Sequence, residues 1–324
     1  MTTESAPRIR LLDAMTLGDD VSLAPLEALG TMTVHELTPA DDVAARVADA
    51  EVVVTNKVVL SREILEEARS LRLVALTATG TNNVDLEACR ELGVGVANVS
   101  GYSTESVAQH TLGLVLELVG RMPYYQGYVA GGEYRDSPIF THYGPRWHEL
   151  ASSRWGIVGM GSIGRRVAEL ATAFGATVVY HSTSGRSSHP AHEHLPLDEL
   201  LASSDVVTIH CPLNASTRGL IGERELDRMK PEAVLVNVAR GGIVDEEALA
   251  RAIRAERIGG AATDVFVNEP LSSGSPLNTV LGSPRFVATP HSAWLSVEAR
   301  TRLVSEVAEN VAAFLRGEAR NRVV

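Results

Sequence analysis

The run Trp155-Gly156-Ile157-Val158-Gly159-Met160-Gly161-Ser162-Ile163-Gly164 constrains this chain more than any other stretch. Trp155 to Val158 is a short apolar run suited to a buried strand. Gly159, Gly161 and Gly164 complete a G-x-G-x-x-G pattern. Arg165 to Phe174 continues at helical spacing, with Ile163, Val167, Leu170, Ala171 and Phe174 on one face. Strand, glycine turn and helix in this order are the setting in which the pattern reads as a dinucleotide site. Gly159 permits the tight turn, Gly161 admits a pyrophosphate close to the backbone, and Gly164 lets the helix lie against the strand. The free N–H groups at the helix start favour an anion there.

The 324 residues are enough for about two domains of ~150 residues. With 45% hydrophobic and 21% charged residues the composition is that of an ordinary globular protein. No apolar run approaches the ~18–20 residues that span a bilayer. The first residues, Met-Thr-Thr-Glu-Ser-Ala-Pro-Arg, lack the apolar centre of a secretory signal. Cys89 and Cys211 show no C-x-x-C spacing and read as buried thiols in a reducing, cytoplasmic compartment. A net charge of −11 and a pI of about 5.4 argue against a nucleic-acid partner. They leave room for a small anionic substrate, because one well-placed arginine outweighs distant surface charge.

Along the first hundred residues strands alternate with helices. Strands are expected at Arg8 to Leu12, Met32 to Leu37, Glu51 to Thr55, Leu73 to Thr77 and Gly93 to Asn98. Helices are expected at Leu23 to Leu29, Asp41 to Ala48 and Ser61 to Ala68. This alternation argues for a parallel-sheet α/β domain. Ser103 to Met122 reads as a longer connecting helix, with Val107, Thr111, Leu114, Val115, Leu118 and Val119 on one face. After Pro123 the chain is expected to shed regular structure in a segment rich in aromatic residues and glycine, among them Tyr124, Tyr128, Phe140, Tyr143 and Trp147. Such a segment is a candidate partner surface. A second βα array then runs from Trp155, through strands at Ala176 to Tyr180, Asp205 to His210, Val234 to Val238, Gly259 to Val265 and Phe286 to Thr289. Its helices lie at Leu197 to Ala202 and Glu246 to Ala255, the latter capped by Asp245. Ser296 to Leu315 closes the chain as an amphipathic helix.

NAD sites of this type carry an acidic residue after the second strand, where it holds the ribose 2′-OH. Here no acidic residue occurs between Glu169 and Glu193. The corresponding stretch instead offers His181, Ser182 and Arg186, groups that accept a 2′-phosphate, so NADP(H) is favoured over NAD(H) while either remains open. His189, His192 and His194 follow in a Pro- and Ser-flanked loop without the i, i+4 pair of a helical metal site, and no metal is expected.

Three later segments carry reactive side chains just past expected strands. They are Asn237 to Asp245 with Arg240, Asp264 to Pro270 with Glu269, and Thr289 to Trp294 with His291. In an open parallel sheet the carboxyl ends of the strands converge on one crevice, so these residues can meet. These segments, together with Ala78 to Asp85, Tyr102 to His110 and the glycine turn, resemble the D-isomer-specific 2-hydroxyacid dehydrogenase family. The likeness is to its glycerate dehydrogenase and glyoxylate/hydroxypyruvate reductase branch, over nearly the whole chain. The missing acid after the second strand departs from the NAD-type members.

The resemblance implies that Arg240 grips a 2-oxo acid, His291 is the acid/base and Glu269 is its partner. Chemistry agrees, because reducing a ketone requires a proton for the developing alkoxide, and a carboxylate beside a histidine favours the charged imidazolium. The resemblance also implies that the N–H groups of Thr79 and Gly80 hold the substrate carboxylate. Asp264 would face the nicotinamide carboxamide, and Ser162, Ile163, Pro212 and Ala239 would contact the cofactor. Lys57 and Trp294 are candidate pocket residues. Two doubly wound domains are implied, with residues 103–295 (cofactor) inserted into 1–102 plus 296–324 (substrate), and closure by hinge motion. Segment 123–150 would be the arm of a homodimer. Two other readings share the pattern: a reductase or dehydrogenase of a phosphonate or phosphite anion, and a dinucleotide-sensing regulator of the corepressor kind.

Overall fold

A computed structural model describes residues 6–186 and 188–324. The chain divides into two compact units. One comprises the residues up to Ser103 together with Leu295–Val324, and the other is Thr104–Trp294.

In the first unit β1 (Arg8–Leu11), β2 (Thr31–Val34), β3 (Val52–Thr55), β4 (Leu73–Leu76) and β5 (Gly95–Ala97) form a parallel sheet in the order β2-β1-β3-β4-β5. Every residue of β3 and β4 is buried, as expected of apolar runs covered on both faces. Four short helices connect the strands: α1 (Ala24–Glu27), α2 (Val43–Val47), α3 (Arg62–Glu67) and α4 (Leu86–Leu92). At the switch point between β1 and β3 the buried carboxylate of Asp13 accepts from the N–H groups of Asn56 (2.9 Å) and Lys57 (2.7 Å), tying the two strand ends together. The helix Val297–Leu315 packs on α1 and β4. Its Arg300 donates to Leu17 O (2.7 Å) and Leu295 O (2.9 Å) and pairs with both carboxylate oxygens of Asp20, whose carboxyl it holds below the usual range. The last residues return to β5, where Val323 N donates to Val96 O at 2.8 Å.

In the second unit seven parallel strands follow the order β12-β11-β10-β9-β6-β7-β8. They are β6 (Arg154–Val158), β7 (Thr177–His181), β8 (Glu193–His194), β9 (Val206–Ile209), β10 (Val234–Asn237), β11 (Gly260–Thr263) and β12 (Phe286–Ala288). Apolar layers cover both faces, one around Val207, Ile209 and Leu249, the other around Trp155, Ile157, Val234 and Leu114. The helices are α5 (Thr104–Val119), α6 (Met122–Ala130), α7 (Ser162–Ala173), α8 (Leu197–Ser203), α9 (Glu223–Arg228) and α10 (Glu246–Arg254). The strand order reverses between β6 and β9, which is where a doubly wound sheet opens its crevice.

Several expectations need correction. Segment 123–150 is not uniformly irregular. Pro123 lies in the first turn of α6, where its missing N–H costs nothing, and a 3-10 turn follows at Glu133–Asp136. Phe174 does not share the core face of α7; it caps the helix and is 44% exposed. The strands expected at Met32 to Leu37 and Gly93 to Asn98 are Thr31–Val34 and Gly95–Ala97, and Asp41 to Ala48 opens with a 3-10 turn. Strand β8 and helix α9 were not expected from the pattern, since α9 buries Leu226 alone. Among the described residues no helix is long and apolar enough to cross a membrane.

Candidate active site

The glycine turn connects β6 to α7 as the sequence predicts. Gly159 sits at φ +99°, a backbone conformation that side chains resist, and a Cβ there would meet Cys211 N at 2.6 Å. The turn is thus pressed against the end of β9. A Cβ on Gly161 would meet nothing within 4 Å, and α7 begins there without a capping side chain. A backbone cradle open to approach, with the uncapped first N–H groups of a helix behind it, fits a pyrophosphate. Ile163 packs its side chain against the core, whereas Ser162 is exposed at the start of α7.

The fully buried Asp264, one residue beyond β11, organises the turn after β12. Its Oδ1 accepts from Thr289 Oγ1 (2.6 Å), Ser292 N (2.8 Å) and Ser292 Oγ (3.3 Å), and its Oδ2 from Ala293 N (2.9 Å). Oδ2 thus accepts from one donor among the described residues, Oδ1 from three. His291 lies inside this turn at φ +52°, its N–H shared between Asp264 O (2.8 Å) and Thr289 O (3.0 Å). Its Nδ1 is 2.7 Å from Glu269 Oε2, with the two side chains 26% and 30% exposed. A carboxylate only accepts, so Nδ1 carries the proton and Nε2 is the nitrogen left to meet a substrate. The other Glu269 oxygen accepts from Phe266 N at 3.0 Å, which fixes the carboxylate.

Sequence reading missed an outer layer. His110 of α5 lies with Nε2 3.0 Å from Thr289 Oγ1. Thr289 donates its one hydroxyl proton to Asp264, so His110 is the donor in this contact. Both partners lie more than a hundred positions from His110 and no local pattern signals the link.

Arg240 is placed by Asn237, the last residue of β10. Asn237 Nδ2 donates to Arg240 O (3.0 Å), and its Oδ1 accepts from Ala239 N (3.1 Å). Gly241 packs so closely on Phe266 O that no Cβ fits, which draws the Arg240 turn beside the loop that carries Glu269. The guanidinium is exposed, bonds to Ala239 O (2.7 Å), and has no carboxylate partner among the described residues.

In the first unit Thr79 and Gly80 follow β4. The Thr79 hydroxyl donates to Val99 O (2.7 Å) and Asn98 Nδ2 donates to Thr79 O (2.6 Å), so the loop is held while the N–H groups of Thr79 and Gly80 have no partner among the described residues. Lys57 is exposed at the end of β3, and Trp294 is half-buried against the second unit's core.

At the end of β7, His181 Nδ1 lies 3.1 Å from Leu195 O, so one nitrogen of this ring serves the fold. Ser182 is buried, Arg186 is exposed, and Gly159 N donates to His181 O at 2.9 Å, which sets the start of this loop beside the glycine turn. Pro212 is exposed and Ala239 half-buried at the ends of β9 and β10. His189 and His192 stack at 4.5 Å, and no group of three potential metal ligands occurs among the described residues. Cys89 and Cys211 are buried free thiols, and burial pushes each up to about 11.

His210, next after β9, has both ring nitrogens buried without a partner among the described residues, and burial pushes its imidazole down to about 3. Between that value and the ordinary ~6.5 of an unfolded histidine, the unfolded chain holds the proton and the native chain does not. Stability from this group is therefore complete at neutral pH and is lost as pH falls through this window, by up to about 1.4 kcal/mol per pH unit. His210→Asn should lose less thermal midpoint than wild type between pH 6.5 and ~4.5 in parallel calorimetric scans. Equal losses would mean that the native ring finds a proton.

Residues 112–293 match the NAD binding domain of D-isomer specific 2-hydroxyacid dehydrogenases. The chain belongs to that family. It is 33% identical to a hydroxypyruvate reductase of Blautia hydrogenotrophica over 98% of this chain and 99% of that one. It is 40% identical to a glyoxylate reductase of Aeropyrum pernix over 79% of this chain and 77% of that one. Among solved structures, an acyclic imino acid reductase in complex with NADPH and D-Arg superposes with a TM-score of 0.85 at 25% identity, covering 98% of this chain and 100% of the other. As a D-2-hydroxyacid dehydrogenase the protein is an oxidoreductase acting on CH–OH groups with a nicotinamide cofactor.

Proposed function

We propose that this dehydrogenase reduces small 2-oxo acids of the hydroxypyruvate and glyoxylate kind to D-2-hydroxy acids, with NADP(H) preferred over NAD(H), in the cytoplasm. The observation that carries the catalytic reading is the 2.7 Å contact between His291 Nδ1 and Glu269 Oε2, with the Arg240 guanidinium, on the adjoining turn, exposed and without a carboxylate partner among the described residues. A bound nicotinamide supplies the hydride. His291 gives a proton from Nε2 to the carbonyl oxygen as charge develops there, and Glu269 orients the ring. Arg240 binds the substrate carboxylate and polarises the carbonyl with its planar fork. The N–H groups of Thr79 and Gly80 bind the carboxylate, and Asp264 holds the His291 turn while its Oδ2 receives the carboxamide.

The NADP(H) preference rests on the loop after β7, which offers hydroxyls and Arg186 and no carboxylate to repel a 2′-phosphate. Parallel assays of hydroxypyruvate, glyoxylate and pyruvate with NADPH and NADH, and of phosphite with NADP+ and NAD+, test both points. Multiple turnovers with the first two, faster with NADPH, are expected; no turnover of either 2-oxo acid with either cofactor ends the substrate reading.

The protein acts as a homodimer joined through the segment after α5. Phe140 is 90% exposed, Tyr143 88% and Trp147 55%, a concentration of aromatic surface suited to an interface with a second copy. The double substitution Phe140→Asp and Tyr143→Asp should convert a dimer in light scattering to a monomer with unchanged helical content. A wild-type monomer, or a dimer indifferent to both changes, removes the arm from the assembly.

A further inference from the structure

Arg165 and Arg166 are neighbours in the first half of α7 with different surroundings. Arg166 is neutralised twice, by Glu105 (2.9 Å) and Glu169 (2.6 Å). Arg165 has no carboxylate partner among the described residues; its Nη2 reaches instead to Ser188 O at 2.7 Å. That bond carries the guanidinium from the glycine-turn helix onto the loop that follows β7. The same loop begins beside the turn through Gly159 N to His181 O, turns back at Ser182 through Gly185 N to its carbonyl (3.2 Å), and holds the exposed Arg186. No acidic residue occurs between Glu169 and Glu193, and among the described residues neither the Arg165 nor the Arg186 guanidinium has a carboxylate partner, while the Arg186 backbone N–H donates to Ser184 Oγ at 3.3 Å within the hydroxyl-bearing stretch Ser182 to Ser184. A guanidinium has five N–H donors, of which Ser188 O takes one. The remainder suit a phosphate, whose oxygens accept charge-assisted bonds from arginine in pairs.

We propose that Arg165 is a specificity-determining residue that, with Arg186, binds the 2′-phosphate of the nicotinamide dinucleotide. The inference rests on the NADP(H) reading above and adds to it a residue outside the stretch where that preference is ordinarily sought. Arg165 acts on the adenosine end and touches none of the reacting atoms, so its substitution separates the two cofactors in binding.

Equilibrium titrations of nicotinamide fluorescence give Kd for NADPH and NADH on wild type, Arg165→Gln and Arg165→Lys, with adenosine 2′,5′-bisphosphate as a competing probe. In Arg165→Gln the Kd for NADPH and for the probe should rise by roughly 10–30-fold, while that for NADH stays within about twofold; Arg165→Lys should fall between. If wild type prefers NADPH and the variant keeps the same NADPH/NADH ratio, Arg165 has no such role and the NADP(H) reading survives. If wild type itself binds NADH more tightly, the NADP(H) reading falls and takes this inference with it.

Discussion

His291→Asn lowers kcat for 2-oxo acid reduction by about 10²–10⁴ while Kd for NADPH stays within about twofold. Asparagine is the informative replacement because His291 sits at φ +52°, a region that asparagine enters more readily than most residues. The turn can persist, since the backbone N–H of residue 291 bonds to Asp264 O and Thr289 O and its flanks bond to the Asp264 carboxylate. What is lost is the Nε2 proton donor. Steady-state rates with saturating cofactor measure the effect, and a kcat within tenfold of wild type would mean that water or another side chain delivers the proton.

Arg240→Gln lowers kcat/KM for the 2-oxo acid by about 10²–10³. Charge-assisted hydrogen bonds contribute about 1.5–3 kcal/mol each, and a forked pair to a carboxylate loses most of that when the charge is removed. Arg240→Lys should recover little, since a point charge cannot reproduce the planar fork. The backbone of this turn is fixed by Asn237 and by the contact of Gly241 with Phe266, so the defect belongs to the side chain. A near-normal kcat/KM, with NADPH binding intact, would move carboxylate recognition elsewhere.

Much of the fold is legible in the sequence where one local signal suffices. Continuous apolar runs mark β3, β4, β9 and β10, and the cap at Asp245 is found, its side chain accepting from Ala248 N. The misses have physical causes. Pro123 reads as a break, yet proline in a first helical turn starts a helix rather than ending one. Helix α9, Glu223–Arg228, has too little apolar face to register. Within the candidate site Arg240, Glu269 and His291 are visible because each follows a strand. The grip of Asp264 on residues 289–293, the His110–Thr289 link and the reach of Arg165 to Ser188 are not, because hydrogen bonds across 23 to 179 positions leave no periodic trace.

The first unit is made of two pieces of chain, and that arrangement governs how it can form during synthesis. Residues up to Ser103 leave the ribosome before the helix Val297–Leu315 that packs on α1 and β4 and before Arg300 can bridge Leu17 and Asp20. At about 5–20 residues per second, the roughly 190 residues of the second unit keep that helix away for some 10–40 s. During that interval the surfaces of α1 and β4 that await it are bare. The nascent first unit is therefore an obvious client for a chaperone, while the second unit has its whole sequence in hand earlier and can fold without waiting.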